Sequence, residues 1–298
     1  MSGAVQEPSV GIIIATLGRA PNVATLLDRL ALQSRAPACV VLSMESAADA
    51  PPPRTYPFPL ERLFGPRGSC RQRNRALDRL PPDLDIVLFL DDDYVPSCRL
   101  IDGVARFFAA YPAISGASGR LLADGIGGPG IAPATAVALV EAEDARQEPP
   151  RLSVSPPHKG LYGCNMAYRR AAIGTVRFDE NLPLYGWQED IDFGSRLQGP
   201  LVYTDAFYGV HCGEKAGRER NGRRLGYSQI ANPWYLRRKG TMPPLFAYRL
   251  MLRSLLANTA RLARPEPWID RRGRLAGNWL ALREIIAGRA DPRRILEL

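Results

Sequence analysis

Cysteine is scarce in this chain of 298 residues, and long hydrophobic runs are missing. The five cysteines are odd in number, scattered and without C-x-x-C spacing, which excludes a disulfide framework and a cysteine-based zinc site. No apolar run approaches the length of a membrane span, and the first residues lack the basic flank and apolar core of a signal peptide. We therefore expect a globular protein of the reducing cytoplasm.

Lysine is also rare, since only three of the 39 basic residues are lysine and the rest are arginine. The charge is unevenly distributed along the chain. Residues 1–210 contain 20 basic and 23 acidic residues, whereas residues 211–298 contain 19 basic and 7 acidic ones. A basic surface of this kind can bind nucleic acid, anionic lipid or phosphate groups. The C-terminal third is thus the part of the chain that would meet an anionic partner.

Apolar runs alternate with helical patterns in the first third of the chain. Residues 10–15, 39–42 and 86–90 are short runs rich in aliphatic residues, which is typical of buried strands. Pro21 opens one predicted helix, and a second is predicted at about 70–80, where a proline pair follows. This alternation indicates a parallel α/β sheet that is covered on both faces.

The second half of the chain has a less regular pattern. Short strands are predicted at 201–203 and up to His211, and the polar, glycine-broken residues 213–224 predict a flexible connector or lid. Two amphipathic helices are predicted at 245–264 and 273–287. The predicted apolar face of the last helix consists of Leu275, Trp279, Leu282 and Ile286.

Three consecutive acids, Asp91, Asp92 and Asp93, directly follow the apolar run at 86–90. Carboxylates crowded at a sheet edge repel one another, which is costly unless a cation or ligand compensates them. Mg2+ and Mn2+ take carboxylate oxygens as ligands and complete their shells with substrate phosphates. The triplet therefore predicts a metal site for a phosphorylated substrate, and a solvated acidic turn is the alternative.

Other polar residues are expected to converge on the same edge, because ligands of open α/β sheets bind at the carboxyl ends of the strands. Thr16 and Arg19 follow the first predicted strand, and Ser43 and Glu45 end the second. Such a cleft suits a nucleotide diphosphate bridged to a metal. Further candidates are a helical arginine, an acidic pair beside an aromatic residue, and an imidazole at a strand end: Arg73, Glu189 and Asp190 beside Trp187, and His211.

With these residues in this order, the chain resembles the family 2 glycosyltransferases of the GT-A fold. The resemblance extends from Val10 to about His211, and each motif alone is weak, whereas their order and spacing are specific. The motifs are Gly11–Thr16 with Arg19, Arg73–Leu77, Leu88–Asp93, Gly163–Arg170, Phe178–Glu180, Glu189–Asp192 with Arg196, and His211. It implies a Rossmann-like mixed α/β sheet, a GT-A catalytic domain at 1–215 and a basic helical region at 216–298.

The resemblance also implies roles at the metal and nucleotide end of the site. Asp93 would bind Mn2+ or Mg2+, with Asp91 and His211 as further ligands, and Asp91 and Asp92 would hold the ribose or a metal-bound water. For His211 the alternative is a buried, hydrogen-bonded strand end. The guanidinium groups of Arg19 and Arg73 suit the phosphate oxygens of a nucleotide-diphosphate sugar.

At the other end of the site, the resemblance implies that Asp190 is the general base of an inverting displacement at the anomeric carbon. Glu189 is the rival base, and Asp192 is predicted to cap the following helix. Trp187 would stack on an acceptor sugar or pack in the core. Asn165 would bond a sugar hydroxyl or satisfy turn backbone.

One position departs from the family pattern. Family members usually carry an acid directly after the second strand, where it reads the nucleotide base, and Ser43 stands there in this chain. Glu45 is displaced from that position by two residues. The departure leaves the base of the donor open between uridine, thymidine and guanosine.

The resemblance implies transfer of one sugar to a glycan or lipid-linked acceptor in cell-surface polysaccharide synthesis. The basic helices at 245–264 and 273–287 would dock on an anionic membrane surface at the inner face of the membrane, or else pack on the catalytic domain or a second subunit. Nucleic acid is not expected as a partner. The alternative functions are a sugar-phosphate nucleotidyltransferase and a non-enzymatic basic binding module. A nucleotidyltransferase needs a glycine-rich phosphate loop with a lysine soon after the first strand, and residues 16–19 lack it.

Overall fold

The computed structural model describes residues 8–146, 151–215 and 221–298. The strands are β1 Val10–Ala15, β2 Cys39–Met44, β3 Leu60–Phe64, β4 Ile86–Asp91, β5 Tyr94–Pro96, β6 Gly116–Asp124, β7 Asn165–Arg169 and β8 Leu201–His211. The helices are α1 Ala20–Ala31, α2 Ser69–Leu77, α3 Leu100–Ala110, α4 Pro133–Asp144, α5 Arg170–Ile173, α6 Glu189–Ser195, α7 Gly222–Lys239, α8 Pro244–Ala260 and α9 Arg271–Ile286. Short 3-10 turns lie at Ala47–Asp49, Gly125–Gly127 and Pro292–Leu296.

The eight strands form one mixed sheet in the order β3-β2-β1-β4-β7-β6-β8-β5. Strands β3, β2, β1 and β4 are parallel, and β7 runs antiparallel to both β4 and β6. Strand β8 is parallel to β6 and antiparallel to β5. The predicted fold class, a mixed α/β sheet with a C-terminal helical extension, is confirmed, although the sheet is parallel in its first half only.

The middle of the sheet is buried because its strands are apolar on both faces, as parallel strands require. Every residue of β4 from Ile86 to Leu90 is buried, and helices α1 and α3 contribute to the same core. The register sets Ala15 opposite both Ser43 and Asp91. The polar residues that follow β1, β2 and β4 therefore meet at one edge of the sheet.

The described chain divides into two compact units. The first contains residues 1–67, 71–177 and 197–214, and thus the whole sheet. The second contains residues 68–70, 178–196 and 215–298, with helices α6 to α9. The sequence predicted a catalytic domain at 1–215, with 178–196 inside it, and a basic helical region at 216–298; this division of the chain into domains stays a prediction.

Helices α7 and α9 of the second unit approach each other closely through glycines. A Cβ atom at Gly226 would lie 2.0 Å from the carbonyl oxygen of Arg274, and one at Gly277 would lie 2.1 Å from that of Arg223. The side-chain amide of Asn278 donates to the carbonyl oxygen of Gly226 over 2.6 Å. Only glycine allows two helix backbones to approach so closely. This contact packs α7 against α9, although the polar sequence of α7 does not suggest a packed helix.

Several predicted elements differ from the structure. The connector predicted at 213–224 falls partly on residues 216–220, outside the described ones, and its last residues already belong to α7. The two strands predicted around 201–203 and His211 are one strand, β8. Of the four apolar residues predicted to share a face of α9, Trp279 and Ile286 are exposed, Leu275 and Leu282 are partly buried, and the fully buried positions of the helix are small or polar.

None of the helices in the described part of the chain combines the length and the apolar character needed to cross a membrane.

Candidate metal and nucleotide site

The acidic triplet lies where β4 ends and the chain turns into β5. Asp91 is the last residue of β4 and is partly exposed, whereas Asp92 and Asp93 are buried. Strand β5 then pairs with β8, which sets Tyr94 opposite His211. Sheet pairing thus brings the imidazole of His211 to the triplet, more than a hundred residues away in sequence.

Asp91, Asp93 and His211 could hold a metal ion together. One ligand atom from each of them lies within 4.8 Å of the others. Two carboxylates and an imidazole fit a hard divalent cation, and the partial exposure of Asp91 leaves an open side for water or substrate phosphate. The residues present therefore fit the metal that the sequence predicted.

The carboxylate of Asp93 lies close to three groups that favour its ionised form: an imidazole, a guanidinium and a backbone N–H. Its Oδ1 lies 3.5 Å from Nε2 of His211, and its Oδ2 accepts a hydrogen bond of 2.8 Å from the backbone N–H of Glu214. Arg19 lies 3.5 Å from the same Oδ2. Burial alone would raise the pKa of Asp93, but His211, Arg19 and the N–H group outweigh it and lower the pKa to about 2. Asp93 is therefore charged and ready to bind a cation.

His211 is oriented by Asp124, a residue that the sequence analysis missed. Nδ1 of His211 lies 2.8 Å from Oδ1 of Asp124, whose Oδ2 accepts a 2.9 Å hydrogen bond from the hydroxyl of Tyr162. Burial lowers the pKa of His211, but the hydrogen bonds with Asp124 and Asp93 raise it to about 10. A carboxylate on Nδ1 fixes the tautomer whose Nε2 is free to bind a metal. Asp124 is thus a positioning residue for His211.

Thr16 and Arg19 bind Asp92 at the end of β1. The hydroxyl of Thr16 donates to Oδ2 of Asp92 over 2.6 Å, and Nη1 of Arg19 lies 3.1 Å from Oδ1. Burial raises the pKa of Asp92 to about 7, with the charge of Asp93 adding to this effect and Arg19 opposing it. The guanidinium of Arg19 therefore lies beside two neighbouring carboxylates, those of Asp92 and Asp93, and partly neutralises their charge at the metal end of the site.

Arg73 and Gln72 connect α2 with the same edge of the sheet. Nη2 of Arg73 lies 3.0 Å from Oδ1 of Asp91. The side-chain amide of Gln72 donates to the carbonyl oxygens of Thr16 and Ser43 over 2.7 and 2.8 Å. Gln72 thereby fixes the ends of β1 and β2 beside each other, a role that the sequence did not reveal.

The position where the family carries its base-reading acid has a different arrangement. Ser43 is fully buried, and its hydroxyl accepts a 3.0 Å hydrogen bond from Nη2 of Arg75. Glu45 is exposed. A buried carboxylate does lie nearby, since Asp49 accepts a 2.6 Å hydrogen bond from the backbone N–H of Gly18, whose φ of 67° favours glycine. Asp49 also accepts a 2.9 Å hydrogen bond from the backbone N–H of Ser46, so its carboxylate joins the turn after β2 to the turn after β1.

Asn165 lies inside the sheet, where its side chain is fully buried. Its Oδ1 accepts a 2.6 Å hydrogen bond from the hydroxyl of Ser118, and its amide donates to the carbonyl oxygen of Gly119 over 3.1 Å. The amide also lies 3.3 Å from the hydroxyl of Tyr94. These contacts favour the structural alternative for Asn165 over contact with an acceptor.

The acids after Trp187 lie in the first turn of α6, in the second unit. Among Glu189, Asp190 and Asp192, Asp190 is the most exposed, and its Oδ1 accepts a 2.8 Å hydrogen bond from the N–H of the next residue. Trp187 is half-buried, and its carbonyl oxygen accepts a 2.8 Å hydrogen bond from Asn232. Gln188 has a φ of 73°, a strained conformation for a non-glycine residue that is common near functional sites.

The sequence predicted that Asp192 caps the following helix. This prediction is wrong, because Asp192 lies inside α6. Its fully buried carboxylate accepts hydrogen bonds of 2.8 to 2.9 Å from three side chains. The donors are Arg196, Lys239 and Thr241. Asp192 therefore ties α6 to the end of α7, and this role needs a buried, charged carboxylate rather than a reactive one.

The role of Asp124 leads to a first prediction. Asp124→Asn removes the charge that holds Nδ1–H of His211, so we expect the affinity for Mn2+ to fall by roughly 10–100-fold. Isothermal titration with Mn2+ measures the change. The matched control is Asp205→Asn, the same substitution on β8 outside the cluster. Equal affinities of Asp124→Asn and the wild type would contradict the positioning role.

The raised pKa of His211 leads to a second prediction. In the metal-free protein the imidazole is protonated up to about pH 10, so a metal must displace a proton from Nε2. The affinity for Mn2+ should therefore rise by about tenfold per pH unit through the neutral range, with about one proton released per ion bound. Titrations in buffers of different ionisation enthalpy count this proton. His211→Gln should remove the release of this proton and leave only the weaker pH dependence that Asp92 contributes near pH 7. An unchanged release of one proton per ion in that variant would refute the assignment.

No protein-family model matches this chain, and neither does any curated protein. Solved structures that resemble it include a fragment of S. aureus TarS and a mannosyltransferase. Residues 1–349 of S. aureus TarS match with 14% identity and a TM-score of 0.49, covering 94% of this chain and 92% of that one. The same TarS fragment in complex with UDP matches with 14% identity and a TM-score of 0.48, covering 94% and 92%.

A third similar structure is the mannosyltransferase PcManGT from Pyrobaculum calidifontis in complex with GDP-Man and Mn2+. It shares 17% identity and a TM-score of 0.49 with this chain, and the match covers 95% of this chain and 87% of that one. Because these TM-scores are below 0.5, the function of this chain has to be argued from its own residues.

Proposed function

We propose that this chain is a metal-dependent glycosyltransferase that moves one sugar from a nucleotide-diphosphate sugar to a hydroxyl group of a glycan or lipid-linked acceptor. One observation carries the proposal: the ligand atoms of Asp91, Asp93 and His211 lie within 4.8 Å of one another at the carboxyl end of β4. This is the edge of an α/β sheet where nucleotides bind. The ordered motifs of the sequence support the same function.

The basic residues of the site suit a diphosphate. Arg19 pairs with Asp92 and Asp93, and Arg73 pairs with Asp91, so two guanidinium groups, whose planar fork of N–H donors suits phosphate oxygens, lie at the triplet. When bound, Mn2+ or Mg2+ would neutralise the charge that develops on the departing diphosphate. Asp91, Asp93 and His211 would hold the ion, and Thr16 would keep Asp92 beside the donor.

Asp190 is the proposed general base. It would take the proton from the acceptor hydroxyl as this oxygen attacks the anomeric carbon and the nucleoside diphosphate leaves from the opposite face. Among the three acids of α6, Asp190 is the accessible one, since Glu189 and Asp192 are buried. A direct displacement of this kind inverts the anomeric configuration. Trp187, half-buried just before α6, is the proposed contact for the acceptor sugar.

The experiment measures release of the nucleoside diphosphate from a panel of uridine, thymidine and guanosine diphosphate sugars. Simple alkyl glycosides serve as acceptors, with Mn2+ or with EDTA. We expect one donor class to be consumed with Mn2+ and very little with EDTA. NMR of the glycoside product should show an inverted anomeric configuration. Consumption that is insensitive to EDTA would contradict the role of the metal. Formation of a nucleotide-diphosphate sugar and pyrophosphate from sugar phosphate and nucleoside triphosphate would replace this proposal by a nucleotidyltransferase.

A further inference from the structure

Helix α8 exposes a row of leucines on its surface. Leu245 is 82% exposed, Leu252 57% and Leu256 58%. These residues are seven and four positions apart, so they lie on one face of the helix. Solvent-exposed leucines in such a row are unusual on a protein surface and mark a site of interaction.

The opposite face of α8 holds the helix in its own unit. Ala247 and Asn258 are the buried residues of α8, and the side-chain amide of Asn258 donates to Oδ1 of Asn278 over 2.8 Å. Oδ1 of Asn258 accepts a 2.9 Å hydrogen bond from Arg271. Because α8 is already packed through this polar face, its leucine row is not needed for the core of the unit.

The charged residues of α8 itself are all basic. Residues 221–265 contain nine basic residues and no acidic one. Arg249 and Arg253 of α8 are exposed and lie in sequence between and beside the leucines. Directly after the helix, Arg264 is also exposed, whereas Arg261 pairs with Glu266. A partner of this surface must therefore offer both an apolar layer and negative charge.

These two requirements decide between the possible occupants. A second copy of α8 would place the guanidinium groups of Arg249 and Arg253 against their own kind, which is unfavourable. Nucleic acid satisfies the charge but offers no layer for the three leucines. A bilayer with anionic headgroups satisfies both, because arginines bind the headgroups while leucines enter the boundary of the acyl chains.

We propose that α8 docks flat on an anionic lipid bilayer, with Leu245, Leu252 and Leu256 inserted and Arg249 and Arg253 at the headgroups. The docking follows from the surface alone. Its consequence for the reaction rests on the proposed function: an enzyme held at a bilayer selects a lipid-linked acceptor over a free glycan.

The test is flotation of the full chain with vesicles of phosphatidylcholine alone and with vesicles that also contain phosphatidylglycerol. We expect the wild type to bind the anionic vesicles, more weakly as salt is added, and to bind the neutral vesicles at least about tenfold more weakly. The double variants Leu252→Glu with Leu256→Glu, and Arg249→Glu with Arg253→Glu, should each weaken binding at least about tenfold. The control Leu32→Glu alters a leucine that is 63% exposed in the first unit and should bind as the wild type does.

Any of four results would overturn the docking. The first is failure of the wild type to bind anionic vesicles, and the second is equal loss in the Leu32→Glu control. The third is a dimer in light scattering that the leucine variant converts to a monomer, which would assign the leucine row to a second copy. Salt-sensitive binding of single-stranded RNA without vesicle binding would assign the surface to nucleic acid instead.

Nucleotide binding by the same variants separates this inference from the proposed function. The rise in unfolding temperature caused by Mn2+ and a nucleoside diphosphate should be the same for the wild type and the α8 variants. The reason is that α8 lies outside the first unit, which contains the metal ligands. Vesicle binding without nucleotide binding would retain the docking and reject the glycosyltransferase. Nucleotide binding without vesicle binding would retain the glycosyltransferase and reject the docking.

Discussion

Replacing Asp190 by asparagine is expected to lower sugar transfer by roughly 10²–10⁴-fold, the usual contribution of a general base. Asparagine has nearly the same shape as aspartate but cannot accept the proton of the acceptor hydroxyl. The affinity for the nucleotide-sugar donor should remain unchanged, because the metal and diphosphate ligands lie on other elements. Initial rates of transfer and the thermal shift caused by the donor measure these two properties separately.

Glu189→Gln is the matched comparison for this prediction. Glu189 is buried beside Asp190, so a substitution there disturbs the same turn of α6 without removing the proposed base. We expect Glu189→Gln to retain much more activity than Asp190→Asn. The reverse order would make Glu189 the base, and substantial transfer by both variants would reject a carboxylate base on α6.

Asp93→Asn is expected to remove the metal-dependent part of nucleotide binding. Asp93 is the carboxylate with the strongest positive surroundings, and asparagine cannot supply the charge that the cation requires. Since loss of a residue behind a metal ligand already costs roughly 10–100-fold in affinity, loss of the ligand itself should cost at least that much. Titration of Mn2+ in the presence and absence of a nucleoside diphosphate measures the change.

A second aspartate outside the site provides the control for Asp93→Asn. Asp144 of α4 accepts hydrogen bonds from Ser97 and Tyr208 and is not part of the cluster. Asp144→Asn should cost stability without changing the affinity for Mn2+. Normal Mn2+ affinity in folded Asp93→Asn would rule out Asp93 as a ligand.

The first half of the sheet could be predicted because buried parallel strands leave a strong sequence signal. The apolar runs of β1, β2 and β4 end in Thr16, Ser43 and Asp91, and parallel pairing alone is enough to place these residues side by side. Strand β8 was harder, because Asp205 interrupts its apolar pattern and makes one strand resemble two.

Asp124 could not be found from the sequence, since its role depends on sheet pairing. It ends β6 and pairs with His211 only because β6 and β8 are parallel, with irregularities in register between them. No local motif marks either residue as a partner of the other. The signal that could have indicated it is a lone acid at the end of a strand, which is too common to be specific.

The helical region was misjudged for a related reason. The connector predicted at 213–224 overlaps the start of α7, and no element was predicted for the rest of this helix, which contains several arginines, two glycines and Pro233. Packing against α9 through Gly226 and Gly277 stabilises it as a helix, and such tertiary contact cannot be read from local propensity. In α9 the fully buried positions are small or polar, so the apolar residues predicted to share a face are only partly buried or exposed.

Thermal unfolding with a panel of nucleoside diphosphates, in Mn2+ and in EDTA, tests the metal and nucleotide site most directly. A ligand present at about 100 times its dissociation constant stabilises the folded state by about 2.7 kcal/mol, which is readily measured. We predict that at least one nucleoside diphosphate stabilises the wild type in Mn2+ and much less in EDTA, and that Asp93→Asn loses the difference. Stabilisation by none of them, or equal stabilisation in EDTA, would contradict a metal-bound diphosphate at Asp91, Asp93 and His211.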